Sequence, residues 1–243
     1  MSIYLSIIIP AYNEEDKIAD TLNIVLKYIH TKQWQAEIIV VEDGSKDKTA
    51  QIVREFCQRY SCVHLLQNPG NRGKGYAVKE GALAAKGEYV LFTDADNSTP
   101  IEEVEKLLSV LEKQKCDIAI GSRALPKSQI EIPQPIYRKM MGKIFNIFFR
   151  IILGINVRDS QCGFKCFPQA IGKKLFPYQK LERFSFDAEL LYIAKKKKYR
   201  VKEVPIVWRN RLESRVNPIK DSIRMFMDLC TIRKYDSSGC YKE

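Results

Sequence analysis

The sequence VLFTDADNSTP, residues 90–100, indicates both a fold class and a kind of site. An apolar, β-favouring run leads directly into Asp94 and Asp96, and turn-forming residues follow. Both carboxylates are therefore expected where a buried strand reaches solvent. Mg²⁺ and Mn²⁺ take oxygen ligands, typically one or two carboxylates together with substrate phosphates. At the end of a strand in a ligand-binding sheet, this pair predicts a metal-diphosphate site.

The sequence around this stretch alternates between short apolar runs, typical of buried strands, and longer segments typical of helices. Strands are predicted at residues 6–10, 36–43, 63–67, 88–93 and 117–123, with helices at 13–30, 47–60, 77–85 and 101–114. Asn13 is predicted to cap the first helix, whose first turn would be acidic. Ile- and Val-rich strands flanked by helices predict an α/β fold in which a mostly parallel sheet carries helices on both faces.

A polar cluster follows each predicted strand. The clusters are residues 10–14, 42–45, 68–75, 94–96 and 121–123. Any single cluster is explained equally well by turn formation, but ligands bind at the carboxyl ends of the strands in such sheets. Five clusters in register therefore predict one ligand-binding rim. The loop NPGNRGKG is neither a Walker A motif nor G-x-G-x-x-G, since Lys74 precedes Gly75 and Asn68 occupies the first glycine position.

Charge is distributed unevenly along the chain. The net charge is +11, with −4 over residues 1–122 and +15 over residues 123–243. The second half is expected either to meet an anionic partner or to form a solvated basic face. Seven scattered cysteines and no signal peptide predict a reducing, cytoplasmic setting with free thiols. The most apolar stretch, residues 144–155, contains Arg150 and is shorter than the roughly 20 residues of a membrane span.

Short motifs in a fixed order carry a family resemblance. PAYNEE begins at Pro10, VEDGSKDKT at Val41, NRGKG at Asn71, DADNSTP at Asp94 and GSR at Gly121. In this order and spacing they resemble the GT-A domain of family 2 glycosyltransferases. RDSQCGFKCF, ERFSFDAELLYIA and ESRV resemble dolichyl-phosphate β-glucosyltransferases closely and dolichyl-phosphate mannose synthases more loosely. The resemblance implies one GT-A domain, residues 1–243, with a nucleotide-sugar-binding half (1–123) and an acceptor- and membrane-facing half (124–243).

The resemblance also implies roles for individual residues. The implied nucleotide-binding residues are Pro10, Ala11, Tyr12, Glu14, Asp43, Lys74, Asp94 and Ala95. Asp96 and Ser98 are implied at a Mg²⁺ or Mn²⁺ ion, and Asp94, Asp96, Asp187 and Arg123 in catalysis. Arg123, Arg138, Lys165 and Arg215 are implied at the acceptor and its phosphate. Two residues depart from the family pattern: Glu42 replaces Asp or Asn, and Arg215 replaces Lys, which is not an equivalent phosphate ligand.

The implied reaction is an inverting, metal-dependent transfer of a hexose, with UDP-glucose as the expected donor. A polyprenyl phosphate acceptor needs cations rather than a base, because its oxygens are largely anionic at pH 7. A sugar hydroxyl acceptor would need a general base, for which Asp187, with Glu189 beside it, is the candidate, although Asp187 equally suits a helix N-terminus. A soluble transferase of that kind and mannose transfer from GDP-mannose remain open alternatives.

A non-enzymatic basic module that binds membranes or nucleic acid is the remaining alternative. No nucleic-acid motif is present, so we expect no nucleic-acid partner. Residues 135–156, and more weakly residues 216–234, mix basic with large apolar side chains. They predict amphipathic helices that either lie in a membrane interface or pack on the sheet. We expect peripheral contact with the cytoplasmic membrane face and no transmembrane helix. A separate membrane-protein partner remains possible.

Overall fold

The computed structural model describes residues 2–114, 116–210 and 218–242. Its strands are β1 (Leu5–Ala11), β2 (Ala36–Glu42), β3 (Val63–Gln67), β4 (Tyr89–Phe92), β5 (Ile118–Ser122), β6 (Gln129–Ile132), β7 (Lys165–Pro168), β8 (Val201–Pro205) and β9 (Val207–Arg209). Its α-helices are α1 (Ile18–Thr31), α2 (Thr49–Arg59), α3 (Lys74–Ala84), α4 (Val104–Gln114), α5 (Ile136–Leu153), α6 (Gln169–Leu175), α7 (Phe186–Lys196) and α8 (Pro218–Ser237). Short 3₁₀ helices occupy Ile101–Glu103 and Phe176–Tyr178.

In the described residues, one large sheet has the strand order β3-β2-β1-β4-β7-β5-β8. Every pairing in it is parallel except those of β7, which runs antiparallel to both β4 and β5. Strands β6 and β9 form a separate parallel pair. The structure confirms the predicted α/β fold with a mostly parallel sheet.

Alternate residues of the central strands supply two hydrophobic cores, one on each face of the sheet. In β1, Ile7 and Ile9 face the core beneath α1, α2 and α4, while Ile8 faces the core beneath α3, α6 and α7. All three isoleucines are fully buried. Burial on both faces explains why these strands are continuously apolar rather than alternating.

The first helix begins later than the sequence predicted. Helix α1 starts at Ile18, and Asn13 does not cap it. Asn13 has a φ of 50°, and its Oδ1 accepts a hydrogen bond from the Lys46 backbone N–H, 2.8 Å away. The cap prediction is therefore wrong, because the side chain of Asn13 bonds to the loop after β2 instead of to its own helix.

The second half of the chain enters the sheet through β7. In the register, Cys166 lies opposite Leu91 of β4 on one side and opposite Ala119 of β5 on the other. The chain thus returns between two strands of the first half. This insertion brings the residues near 165 to the carboxyl end of β4.

Helices α5 and α8 pack together on the outside of the molecule. The rings of Phe148 and Phe226 meet edge to face, with centroids 4.9 Å apart. Phe149 lies in the core and is completely buried. Along α5, an exposed apolar stripe contains Ile136, Met140, Ile144, Ile147 and Ile151. The predicted amphipathic helices therefore exist. Helix α5 has apolar side chains both on the side that faces the core and on the exposed side. In the part of the chain that the structure describes, no helix is both long and apolar enough to cross a bilayer.

The adjacent phenylalanines of α5 give a direct test of this packing. Phe149→Ala should lower the free energy of unfolding by about 3–5 kcal/mol, since it leaves a cavity in the core. Phe148→Ala should lower it by about 1 kcal/mol or less, because that ring is 39% exposed. Urea denaturation of both variants measures the difference. Equal losses would contradict the orientation of α5.

Candidate active site

The loops after β1 and β2 brace each other at one side of the rim. The backbone N–H of Asn13 donates to the Ser45 hydroxyl over 2.9 Å, and that of Glu14 donates to the Thr49 hydroxyl over 2.7 Å. Pro10, Tyr12 and Glu14 are partly exposed along this edge, and Ala11 is buried below them. The bracing holds the predicted nucleoside-binding residues in one place.

Asp43 joins the loop after β2 to the glycine-rich loop, residues 68–75. It is buried, and its Oδ1 accepts from the Asn68 side chain (2.8 Å) and from the Arg72 N–H (3.1 Å). Its Oδ2 accepts from the Gly73 N–H over 2.7 Å. Both oxygens of this predicted nucleotide-binding carboxylate therefore accept hydrogen bonds from the glycine-rich loop.

Glu42, which departs from the family pattern, has a local structural function. It is buried, and its Oε1 accepts from the backbone N–H of Ser45. Its Oε2 accepts from the Gln67 amide over 3.3 Å. These contacts hold the turn that carries Asp43, so the longer carboxylate at position 42 helps to position that residue.

The two aspartates of the opening motif lie at the end of β4, as the sequence predicted. The Lys74 ammonium pairs with Asp94 Oδ1 across the rim. The Ser98 N–H donates to Asp96 Oδ1 over 2.9 Å. Burial and the nearby charge of Asp94 raise the pKa of Asp96, against the opposing hydrogen bond from Ser98. Between the two, Ala95 is buried, and its carbonyl accepts from the Thr21 hydroxyl.

The residues before β7 close the rim beside Asp94. A Cβ at Gly163 would meet the Asp94 carboxylate, so a larger residue there would displace this carboxylate. Arg123, at the end of β5, donates through Nε and one terminal nitrogen to the two oxygens of Asp159, each over 2.8 Å. Burial alone would raise the pKa of Asp159, but the paired guanidinium outweighs it and holds the pKa below its ordinary value. Arg123 is thus held in a fixed, bidentate geometry.

Lys165 and Asp187 form a buried ion pair that links β7 to α7. Their side chains are 3% and 5% exposed. Lys165 also donates to the Cys162 carbonyl over 2.5 Å. Burial raises the pKa of Asp187 although Lys165 and Lys74 oppose that shift. Lys165 therefore contacts a carboxylate of the protein, and Asp187 is paired as well as being close to a helix N-terminus.

Glu189 points away from this ion pair. Its carboxylate accepts from the backbone N–H groups of Lys180 and Leu181 and from the Tyr241 hydroxyl. It is completely buried. Its contacts connect α7 to the preceding loop and to the end of the chain, so its position beside Asp187 in sequence does not place both carboxylates at one reaction centre.

The donor set at the end of β4 fits a hard divalent cation. Among residues 2–114, 116–210 and 218–242, no group of three or more His, Cys, Asp or Glu side chains is placed to hold a metal ion. Asp94 and Asp96 instead offer two carboxylates at one rim, which is the protein share of a site whose other ligands are phosphates and water. These residues fit Mg²⁺ or Mn²⁺ bound together with a diphosphate.

Two implied phosphate ligands cannot be placed. Arg215 and the side chain of Arg138 lie outside what the structure describes. Elsewhere, a groove of about 740 Å³ runs along β3, lined by residues that include Cys57, His64 and Lys86. It contains none of the predicted site residues. The groove is therefore large but lacks the predicted site residues, whereas the rim carries the paired charges.

Asp159 and the 179–183 segment are the parts of the site that sequence reasoning missed. Asp159 lies in the quoted stretch RDSQCGFKCF, and its signal was an acid in a polar run directly before a strand. The 179–183 segment approaches the glycine-rich loop closely, because a Cβ at Gly75 would meet the carbonyls of Leu181 and Arg183. No local pattern marks this contact, since about 100 residues separate the two segments.

Comparison with known proteins identifies the class to which this chain belongs. The model of the family described as "Glycosyl transferase family 2" matches residues 6–176. The chain belongs to this family and is a glycosyltransferase. Within it, the chain is dolichyl-phosphate beta-glucosyltransferase-like. It is 37% identical to a dolichyl-phosphate beta-glucosyltransferase of Trichomonas vaginalis, over 95% of this chain and 73% of that protein. It is 34% identical to that of Homo sapiens, over 98% and 77%.

Solved structures share the fold. Glucosyl-3-phosphoglycerate synthase from Mycobacterium tuberculosis, in complex with Mn²⁺, UDP and glucosyl-3-phosphoglycerate, superposes with a TM-score of 0.68 at 18% identity. The match covers 95% of this chain and 78% of that one. Mannosyl-3-phosphoglycerate synthase from Rubrobacter xylanophilus gives a TM-score of 0.69 at 18% identity, over 99% and 76%. These similarities confirm the GT-A-like fold.

The buried ion pair predicts non-additive mutational effects. Lys165→Met and Asp187→Leu should each lower the free energy of unfolding by roughly 3–5 kcal/mol, because each leaves an uncompensated buried charge. The double variant should lose less than either single variant, since both charges are gone. Urea denaturation of the four proteins completes the cycle. Additive losses would show that the two charges do not interact.

Proposed function

We propose that the chain transfers glucose from UDP-glucose to a polyprenyl phosphate, with inversion at the anomeric carbon. The observation that carries this proposal is the arrangement at the end of β4, where Lys74 pairs with Asp94 and the charge of Asp96 lies near enough to act on Lys74. Carboxylates and a lysine at one rim suit a metal-bound diphosphate. The names of the relatives support the sugar and the class of acceptor.

The donor is proposed to lie along the rim from β2 to β5. Its nucleoside would contact the edge formed by Pro10, Ala11, Tyr12 and Glu14, with Asp43 at the base. Its diphosphate would lie near Lys74, Asp94 and the backbone of Ala95. Burial would lower the pKa of Lys74, but Asp94 and neighbouring carboxylates raise it, so the ammonium stays charged. A charged lysine here stabilises the leaving diphosphate.

Asp96, with Asp94 and Ser98 beside it, is proposed to hold Mg²⁺ or Mn²⁺. When bound, such an ion neutralises negative charge that develops on the leaving nucleoside diphosphate. The M. tuberculosis relative in fold is described in complex with Mn²⁺ and UDP-glucose. The protein's own contribution is to hold the two carboxylates at the strand end, with Asp96 oriented by the N–H of Ser98.

The acceptor phosphate is proposed to lie across the rim from the donor. A guanidinium has five N–H donors, and the bidentate pair with Asp159 uses two of the Arg123 donors. The others suit a phosphate, whose anionic oxygen attacks the anomeric carbon without a general base. The pairing of Asp187 with Lys165 supports this reading over a hydroxyl acceptor. Arg138, Lys165 and Arg215 are further proposed ligands, and Lys165 also pairs with Asp187.

The two halves of the proposed single domain would have different functions. Residues 1–123 supply the donor edge, and residues 124–243 supply the acceptor side, through β7 and α7. The excess of positive charge in the second half agrees with an anionic lipid acceptor.

A panel of donors and acceptors tests the proposal. UDP-glucose, UDP-galactose and GDP-mannose should each be incubated with a short polyprenyl phosphate and, separately, with simple sugars and Mg²⁺ or Mn²⁺. We expect glucosyl polyprenyl phosphate as the main product, detected by mass spectrometry. UDP should also raise the melting temperature more than GDP does, by linkage. Transfer to sugar hydroxyls alone, or greater stabilisation by GDP, would overturn the acceptor or the donor, respectively.

Asp96→Asn tests the proposed metal ligand. The change removes one charge and keeps the shape, so turnover should fall at least about a thousandfold while the melting temperature is retained. Asp20→Asn, at an exposed position on α1, is the matched control and should react as the wild type does. Wild-type turnover by Asp96→Asn at saturating metal would remove this residue from the mechanism.

The acceptor's lipid tail requires the rim to reach a membrane surface. The exposed stripe on α5 continues onto α8 through Ile223 and Met227, which are 59% and 63% exposed. Lys139, Lys143 and Arg150 are exposed on α5 as well. Apolar side chains beside cations suit the interface of an anionic membrane, where each basic residue contributes about 1 kcal/mol. We propose that this surface binds the cytoplasmic face of a membrane.

Liposome binding tests this surface. The wild type should co-sediment with anionic liposomes at low salt and be partly released at high salt. The double variant Ile147→Ser, Ile151→Ser should bind far more weakly and should lose transfer to long polyprenyl phosphates but not to short ones. Ile24→Ser, Leu83→Ser is the matched control, since both residues are exposed on other helices. Unchanged binding by the α5 variant would exclude this stripe. Phe149 is unsuitable for such a test, because it lies in the core.

A further inference from the structure

The end of the chain is anchored in the interior of the protein. Tyr241 is 3% exposed, and its hydroxyl donates to Glu189 Oε1 over 2.6 Å. Glu189 accepts two more donors, the backbone N–H groups of Lys180 at 3.0 Å and Leu181 at 2.7 Å. Burial raises the pKa of this carboxyl, against the opposing hydrogen bonds from the three donors. One carboxylate thus connects the C-terminal segment to the 179–183 segment.

The 179–183 segment in turn holds the glycine-rich loop. The side-chain amide of Gln179 donates to the Gly75 carbonyl over 2.9 Å, and the Glu182 carbonyl accepts from the Tyr76 N–H over 3.0 Å. A Cβ at Gly73 or at Gly75 would lie 2.6 to 2.9 Å from atoms of residues 181–186, so there is no free space between the two segments. We therefore expect a displacement of the 179–183 segment to disturb the glycine-rich loop.

These contacts converge on a single side chain. Gly73 and Gly75 are the two neighbours of Lys74, and its ammonium pairs with Asp94. The position of the lysine at the rim is consequently set by a loop that is held from behind. The connection runs from Tyr241 through Glu189 and the 179–183 segment to Lys74.

We propose that Glu189 and Tyr241 form a positioning clamp that orders the glycine-rich loop and so places Lys74 at the donor diphosphate. The C-terminal segment is then part of the donor site, although it lies outside the half of the chain that carries the donor motifs. The link to the diphosphate rests on the function proposed above. The ordering of the loop does not, because it depends only on the protein's own contacts.

Tyr241→Phe tests the clamp by removing one hydroxyl. Tyr28→Phe is the matched control, because Tyr28 is 7% exposed and its hydroxyl also donates to a carboxylate, that of Glu105, over 2.8 Å, on the other face of the sheet. Two readouts are needed. Amide hydrogen exchange at Gly73 and Tyr76 needs no nucleotide and reports the ordering of the loop. Calorimetric titration with UDP and Mn²⁺, well below the melting temperature, reports the donor site.

In Tyr241→Phe we expect exchange at Gly73 and Tyr76 to be about tenfold faster and UDP affinity to be about tenfold weaker. In Tyr28→Phe, both should match the wild type, even if the melting temperature falls equally. Glu189→Gln should act in the same direction as Tyr241→Phe, and the two changes together should cost less than the sum of their separate effects.

Unchanged exchange in Tyr241→Phe and Glu189→Gln would overturn the clamp. Faster exchange with wild-type UDP affinity would overturn its link to the donor and leave a purely structural contact. A wild-type protein that binds no UDP would refute the proposed function instead, and the exchange measurement would still decide whether the clamp orders the loop.

Discussion

Several carboxylates lie close together at one end of the sheet, and the rest of the site depends on how their charges are compensated. A carboxylate that leaves water without a partner is strongly destabilising. Here Asp43 accepts backbone N–H groups of the glycine-rich loop, Asp94 pairs with Lys74, and Asp159 pairs with Arg123. Each partner lies on a different segment of the chain from the carboxylate that it compensates. Charge compensation therefore ties the loops of the rim together, and the same charges are the ones that a diphosphate and a metal ion would meet.

The ion pair of Lys165 and Asp187 extends this arrangement into the second half of the chain. It is the most deeply buried of these pairs, and it connects the strand inserted beside β4 to the helix behind the glycine-rich loop. Replacing either partner alone leaves a buried charge, whereas replacing both does not. A pair of this kind specifies one relative position of β7 and α7, which is what a site built from distant segments requires.

Helix α5, in the second half of the chain, contacts both the core and the solvent-exposed surface. Helix α5 places Phe149 in the core and the neighbouring Phe148 at the surface against α8. The stripe of exposed isoleucines beside basic residues is unusual for a surface that meets only water. The two faces of one helix thus join the core to a surface whose composition suits a lipid interface.

Local patterns in the sequence were enough to predict the fold class, the five strands of the first half and the polar residues of the rim. Periodicity and composition report local burial, and the carboxyl ends of parallel strands meet at one edge whatever the details of packing. The family resemblance also marked Asp94 and Asp96, which the structure places at that edge. The predicted start of α1 is wrong, because the side chain of Asn13 accepts a hydrogen bond from Lys46, in a loop more than 30 residues away.

The pairing of charges, in contrast, follows from the packing of distant segments. Lys165, which is predicted at the acceptor, pairs with Asp187, and Glu189, two residues further along, faces Tyr241 near the end of the chain. The antiparallel insertion of β7 and the contact of residues 179–183 with the glycine-rich loop join segments far apart in sequence. No local pattern encodes such pairings, since they arise from the burial of charge between elements whose relative positions are set by the packing of both cores.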